Sequence, residues 1–268
     1  MNFSDKLLAA SRRNKSLLCV GLDPDPESMP KVGLLEFNKA IIDTTADLVC
    51  AYKPNLAFYE ALGIGGLEVL QKTIEHIPDH IPIIGDGKRG DIGNTARAYA
   101  KALFVTFGFD AATVSPYLGF DSVEPFIEYN EKGVFILCRT SNPGAMDFQS
   151  LVDARGTPLY EIVARKAKEW NVHGNIGLVV GATYTEELKA IRQLCPEMPI
   201  LIPGIGAQGG DLASTVKYGI DAQGRNAIIA VSRQILYASQ GRDFAQAARH
   251  KAQELRDNIN KLVGQIVR

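Results

Sequence analysis

Eight short runs of apolar, largely β-branched residues recur along the chain, and helical patterns fall between them. The runs are LLCVGLD (17–23), LVCAYKPN (48–55), IPIIGDGK (81–88), AATVSP (111–116), GVFILCRTS (133–141), IGLVVGAT (176–183), PILIPGIG (199–206) and NAIIAVSR (226–233). Most are continuous rather than alternating, which suits strands covered on both faces. Helical spacing marks 66–77, 95–107, 157–170 and 185–194. It is clearest near the C-terminus, where Phe244, Ala248, Ala252, Leu255, Ile259, Leu262 and Ile266 advance by threes and fours. Alternating strands and helices predict a parallel sheet, and eight such units in about 250 residues is the number that closes a (β/α)8 TIM barrel. An open doubly wound sheet is the fallback. No GxGxxG follows the first run, which argues against a dinucleotide fold. No low-complexity linker or break in composition divides the chain, so residues 1–268 read as a single α/β domain.

Composition narrows the function classes. Hydrophobic residues make up 46% and charged residues 22%, enough to bury a full core. The net charge of −1 gives no surface-wide attraction for nucleic acid or an acidic membrane. Cys19, Cys50, Cys138 and Cys195 are widely spaced, with no CxxC pair, and read as buried free thiols in a reducing cytoplasm. The first residues, MNFSDKLLAASRRNK, lack the apolar core of a signal peptide and read as a short amphipathic helix. No apolar run approaches the roughly 18 residues of a membrane span.

In a barrel the active site forms at the C-terminal strand ends, so what each run ends with is informative. Run one ends in Asp23, run two in Lys53, and run three in Asp86 and Lys88 with Asp91 just beyond. Run five ends in Thr140 and Ser141, and run eight in Ser232 and Arg233. On a strand, Asp86 and Lys88 share a face. With Lys53 on the neighbouring strand, this predicts alternating charges, and Asp91 can extend them. An unpaired buried charge is costly, whereas a paired chain of charges persists. One such pair would read as a structural ion network; polar residues on at least five strand ends read as a site.

PGIGAQGGD (203–211) follows run seven and opens a helix. Glycines let backbone approach an anion, and free amides at a helix start bind phosphate. Arg233 on the adjacent strand end can pair with phosphate bidentately. His76, His80, His173 and His250 fall on helices or loops, away from the strand ends, and Ser141 has no histidine partner in the pattern. Zinc chemistry and acyl transfer are therefore poorly supported.

Together these residues resemble the orotidine 5′-phosphate decarboxylase family, most closely its bacterial branch. DGKRGDIGNT (86–95) fits the family's D-x-K-x-x-D-I-x-x-T pattern at every defined position. LDPD (22–25), YKPN (52–55), TSNPGA (140–145), PGIGAQGG and VSR (231–233) then follow in the family's order. The resemblance implies cofactor-independent, metal-free conversion of orotidine monophosphate to uridine monophosphate and carbon dioxide. It implies that Lys88 protonates C6 and that Asp86 lies against the substrate carboxylate. Lys53 would stand between Asp86 and the ribose hydroxyls, with Asp23 on the ribose. Asp91 and Thr95 would reach into a partner's site in a homodimer of shared sites, and Ile92 would join Thr95 in binding substrate. Ser141 would touch the pyrimidine, and Gln208 and Arg233 the phosphate. The segment 142–156 is long for a strand-to-helix loop and is a candidate lid.

Three other readings stand beside this one. A magnesium-dependent sugar-phosphate lyase of the same barrel suprafamily also carries D-x-K-x-x-D, but needs an acid where this chain has Lys53. A Schiff-base aldolase needs a neutral lysine, which flanking carboxylates oppose. A non-catalytic nucleotide-binding barrel would have no use for Asp86 and Lys88.

Overall fold

The computed structural model describes residues 1–206 and 209–267. The eight apolar runs form eight strands: β1 (Leu18–Leu22), β2 (Ala51–Pro54), β3 (Ile84–Arg89), β4 (Ala111–Val114), β5 (Gly133–Arg139), β6 (Ile176–Val180), β7 (Ile200–Pro203) and β8 (Ala227–Val231). They lie in one parallel sheet in the order β2-β1-β8-β7-β6-β5-β4-β3. Bridges Tyr52–Ile83 and Asn55–Asp86 bring β3 back to β2, so the sheet curls into the expected (β/α)8 barrel.

Helices cover the outside, including Leu34–Thr45, Gly63–His76, Leu159–Trp170, Thr185–Leu194, Leu212–Gly219 and the long Phe244–Ile266. Most of the strands read as unbroken apolar runs because both faces are buried; β3, which is IGDGKR, is the clearest exception. Val20, Tyr52, Ala112 and Val180 point out into the helix layer. Cys19, Ala51, Ile84, Ala111, Phe135 and Val179 point in. All four cysteines are buried and free.

The first helix, Phe3–Asn14, plugs the N-terminal mouth of the barrel. Asn2 caps its start, accepting from the Asp5 amide at 2.9 Å. Phe3 meets Phe135 edge-on, with ring centres 5.6 Å apart. Gly133 makes this possible, since a Cβ there would stand 2.5 Å from the Phe3 ring.

The expected helix over 95–107 begins at Gly93, is α-helical to Lys101, and widens into a π-helical turn over Ala102–Thr106. The inward face changes character near the other mouth. Two residues beyond the inward apolar positions Cys19, Ala51, Ile84, Ala111 and Ala230 stand Gly21, Lys53, Asp86, Thr113 and Ser232. The strand period of two therefore stacks a polar layer directly on an apolar one.

Candidate active site

Asp86 is the acceptor on which this polar layer converges. Lys53 donates to its Oδ2 at 2.7 Å, Lys88 to its Oδ1 at 2.7 Å, and the Thr113 hydroxyl to Oδ1 at 2.8 Å. The Lys53 and Asp86 side chains are 7% and 9% exposed, whereas Lys88 is 47% exposed, so the chain of charges runs from the interior out to the mouth. Burial alone would favour neutral Asp86. The charges and hydrogen bonds of Lys53 and Lys88 outweigh it and hold the carboxyl well below the usual carboxylate range. Burial also opposes the charge on Lys53, but Asp86 and Asp23 outweigh it and hold the ammonium above an ordinary lysine. Beneath them, burial pushes the Cys19 thiol up to about 12, which leaves it protonated and inert.

Asp86 and Lys88 meet by a route that strict strand alternation does not provide. The β3–β4 register slips between Gly85 and Arg89, so residues 86 to 88 face Thr113 across a bulge. Lys88 has φ of 46°, in the left-handed region that costs a side-chain-bearing residue about 1–2 kcal/mol. The Lys88 amide donates to the Thr113 hydroxyl at 2.9 Å, which fixes this turn. Arg89, beyond the bulge, points outward to pair with Glu60.

A cavity of about 120 Å³ lies between Asp23, Lys53, Gly204, Ser232 and Arg233. The first two and last two of these belong to predicted strand ends; Asp86 and Lys88 lie outside the lining and are joined to it through Lys53. Gly204 and Gly206 have φ of 104° and 77°, and a Cβ on Gly206 would overlap the Gln234 amide. Gln208 lies outside the described residues. The helix start after this loop is not an open anion site. Asp211 caps it, accepting from the Ser214 amide at 2.7 Å, and the Ser214 side chain together with that amide lowers the Asp211 pKa. Arg233 and the glycine backbone are left as the groups suited to phosphate. Ser141, after β5, packs on Gly181, where a Cβ would stand 2.8 Å from Ser141 Cβ.

Asp91 stands apart from Lys88 within one chain. Its carboxylate accepts from the Ile92 amide at 2.8 Å, and among the described residues no ion pair joins it to Lys88. Ile92 and Thr95 are exposed at the start of the helix Gly93–Lys101.

Residues 16–249 match the family model described as orotidine 5′-phosphate decarboxylase / HUMPS. The chain belongs to that family. Orotidine 5′-phosphate decarboxylases similar to it include one from Dehalococcoides mccartyi, 58% identical over 97% of this chain and 98% of the relative. Another, from Herpetosiphon aurantiacus, is 54% identical over 94% and 95%. Among solved structures, Leishmania donovani OMP decarboxylase superposes with a TM-score of 0.88 at 40% identity, covering 98% of this chain and 99% of that one. The orotidine 5′-phosphate decarboxylase from Pyrococcus horikoshii gives 0.62 at 27% identity, over 88% and 99%.

Three side chains of this member of the family escape sequence reasoning. Thr113 sits in AATVSP as an ordinary β-former; its clue is a hydroxyl at an inward position of an apolar run. Tyr237 pins the end of β1, donating to the Asp23 carbonyl at 2.8 Å and accepting from the Asp25 amide at 2.7 Å. Arg139 is fully buried, stacked 3.6 Å from the Tyr184 ring centre. Alternation would aim it into the barrel, but a register shift between Leu137 and Arg139 turns it out toward the helices. A larger cleft of about 600 Å³ opens at the opposite end of the barrel, between Asp5, Lys168, Glu197 and Arg225. It holds none of the strand-end charges.

Proposed function

We propose that this protein decarboxylates orotidine 5′-monophosphate to uridine 5′-monophosphate and carbon dioxide in de novo pyrimidine biosynthesis, with no metal or organic cofactor. The family and the relatives' names support the substrate. The observation that carries the chemistry is the chain Lys53–Asp86–Lys88, with both Asp86 oxygens occupied and Lys88 reaching the mouth. When the bond from C6 to the carboxylate breaks, its electron pair stays on C6, in an orbital the ring delocalises poorly. The Lys88 ammonium stabilises that pair and then gives it a proton, and the amine regains its proton from solvent.

Asp86 keeps Lys88 aimed and also pushes on the substrate carboxylate. Two carboxylates ~4 Å apart repel by roughly 4 kcal/mol at an effective dielectric of ~20. Enzymes lower barriers by about 8–23 kcal/mol. Preorganised cations and binding of the distant phosphate therefore supply most of the effect. Asp23 and Lys53 hold the ribose, Ser141 the pyrimidine, and Arg233 with Gln208 the phosphate. Asp91, Ile92 and Thr95 complete the site of a second copy in a homodimer in the cytoplasm. The enclosed space, about 120 Å³, is smaller than the ~300 Å³ lower bound of ligand pockets. The segment 142–156 closes over the base to make up the difference, with Met146, Phe148 and Leu151 exposed on it.

Lys53 supplies a cation at Asp86, where a magnesium-dependent lyase would need another acid. Purified protein mixed with orotidine monophosphate and a chelator tests the reading. Equimolar uridine monophosphate and carbon dioxide are expected. An inert protein would refute it, and activity abolished by the chelator would point to the lyase.

A further inference from the structure

Two buried oxygens at the cavity lack any hydrogen-bond partner among the described residues: Asp23 Oδ1 and the Ser232 hydroxyl. Buried polar atoms are almost always paired, so two orphans lining one cavity mark a place where a ligand supplies the missing partners. Both side chains crowd the same strand residue. A Cβ on Gly21 would stand 3.2 Å from Ser232 Oγ, 2.9 Å from Ser232 Cβ and 3.3 Å from Asp23 Oδ2. Gly21 is thus the gap in the polar layer that lets Ser232 and Asp23 face one another, as the β1–β8 register Val20–Val231 places them.

The chemistry of the missing group follows from the pair. An ionised carboxylate only accepts, so Asp23 needs a donor. A serine hydroxyl donates or accepts. A phosphate oxygen beside Asp23 would meet a like charge. A sugar hydroxyl meets both demands, donating to Asp23 while accepting from Ser232. We propose that Ser232 is a further substrate-binding residue, which with Asp23 brackets one ribose hydroxyl of the nucleotide. This rests on the nucleotide substrate proposed above. It gives Ser232, adjacent to the phosphate-side Arg233, a task on the sugar rather than on the phosphate.

The test measures calorimetric affinity of the full-length wild-type protein, Ser232→Ala and Ser232→Cys for uridine monophosphate and its 2′-deoxy and 3′-deoxy analogues. Cysteine keeps the volume but is a weak donor, so it serves if the alanine variant is poorly folded. Both variants are expected to bind uridine monophosphate about two- to tenfold more weakly, the worth of one neutral hydrogen bond. With one of the two deoxy analogues the variants and wild type should bind alike, because the bracketed hydroxyl is gone. Equal weakening for all three nucleotides, or none for uridine monophosphate, overturns the assignment to a ribose hydroxyl while leaving decarboxylation intact. Wild-type protein that neither binds uridine monophosphate nor consumes orotidine monophosphate overturns both.

Discussion

Replacing Asp86 by Asn removes one negative charge and leaves the shape almost unchanged. The Lys53 ammonium, 7% exposed and 2.7 Å from Asp86, then has lost its ion-pair partner in the interior. Breaking a buried pair from one side costs about 3–5 kcal/mol, because the remaining charge stays buried, here with only the nearby Asp23 to offset it. Lys88 is half exposed and screened by water, so its lost pairing adds at most about 1 kcal/mol. At roughly 2–4 °C per kcal/mol for a chain of this size, the melting temperature should fall by about 6–24 °C. Turnover should fall further than stability explains. Lys88 would lose the group that aims it, and removing one preorganised electrostatic partner typically costs ~10²–10³ in kcat. The assay is ultraviolet loss of orotidine monophosphate at saturating substrate, run well below the variant's melting point, beside thermal unfolding by circular dichroism. Near-normal kcat would refute both the aiming and the pushing roles. An unchanged melting temperature would refute the energetic reading of the pair.

Thr113→Val leaves the Lys88 amide without its acceptor and Asp86 one donor short. About 1–3 kcal/mol of stability should go, with roughly tenfold in kcat, read by melting and turnover together. Folded Asp86 binds a proton more weakly than the unfolded chain, so its stabilisation is present above the unfolded value near ~3.9 and drains away as pH falls below it. Acid titrations of wild type and Asp86→Asn should therefore converge below about pH 4; parallel curves would contradict this. Gly133→Ala drives a Cβ to 2.5 Å from the Phe3 ring and should cost about 1–3 kcal/mol in melting while leaving kcat near wild type, since it lies at the opposite mouth.

The barrel is legible because a parallel strand buried on both faces writes itself as a continuous apolar run, and most of the eight do so. Strand ends are less legible. Residues 48–50 belong to the run before β2 but precede the ladder, which begins at Ala51. The polar and charged residues at the strand ends are legible as a set, since Asp23, Lys53, Asp86, Ser232 and Arg233 each close an apolar run. Their mode of meeting is not. Lysine has no preference for positive φ, so nothing in GDGKRG announces the bulge that turns Lys88 back onto Asp86. Arg139 is hidden for a related reason: one extra residue in the ladder reverses its side, and alternation then points the wrong way. Thr113 and Tyr237 act through hydroxyls on residues that would serve equally well as packing, so only coordinates single them out.

The sharpest measurement is the turnover of orotidine monophosphate by Lys88→Ala beside wild type, followed in deuterated water with the product's C6 position read by NMR. Wild type should release uridine monophosphate carrying one deuterium at C6. The variant, folded to a similar melting temperature because Lys88 is half exposed, should lose at least ~10⁴ in kcat, the combined worth of the cation and the acid. A variant that turns over within tenfold of wild type would mean that some other group meets the carbanion.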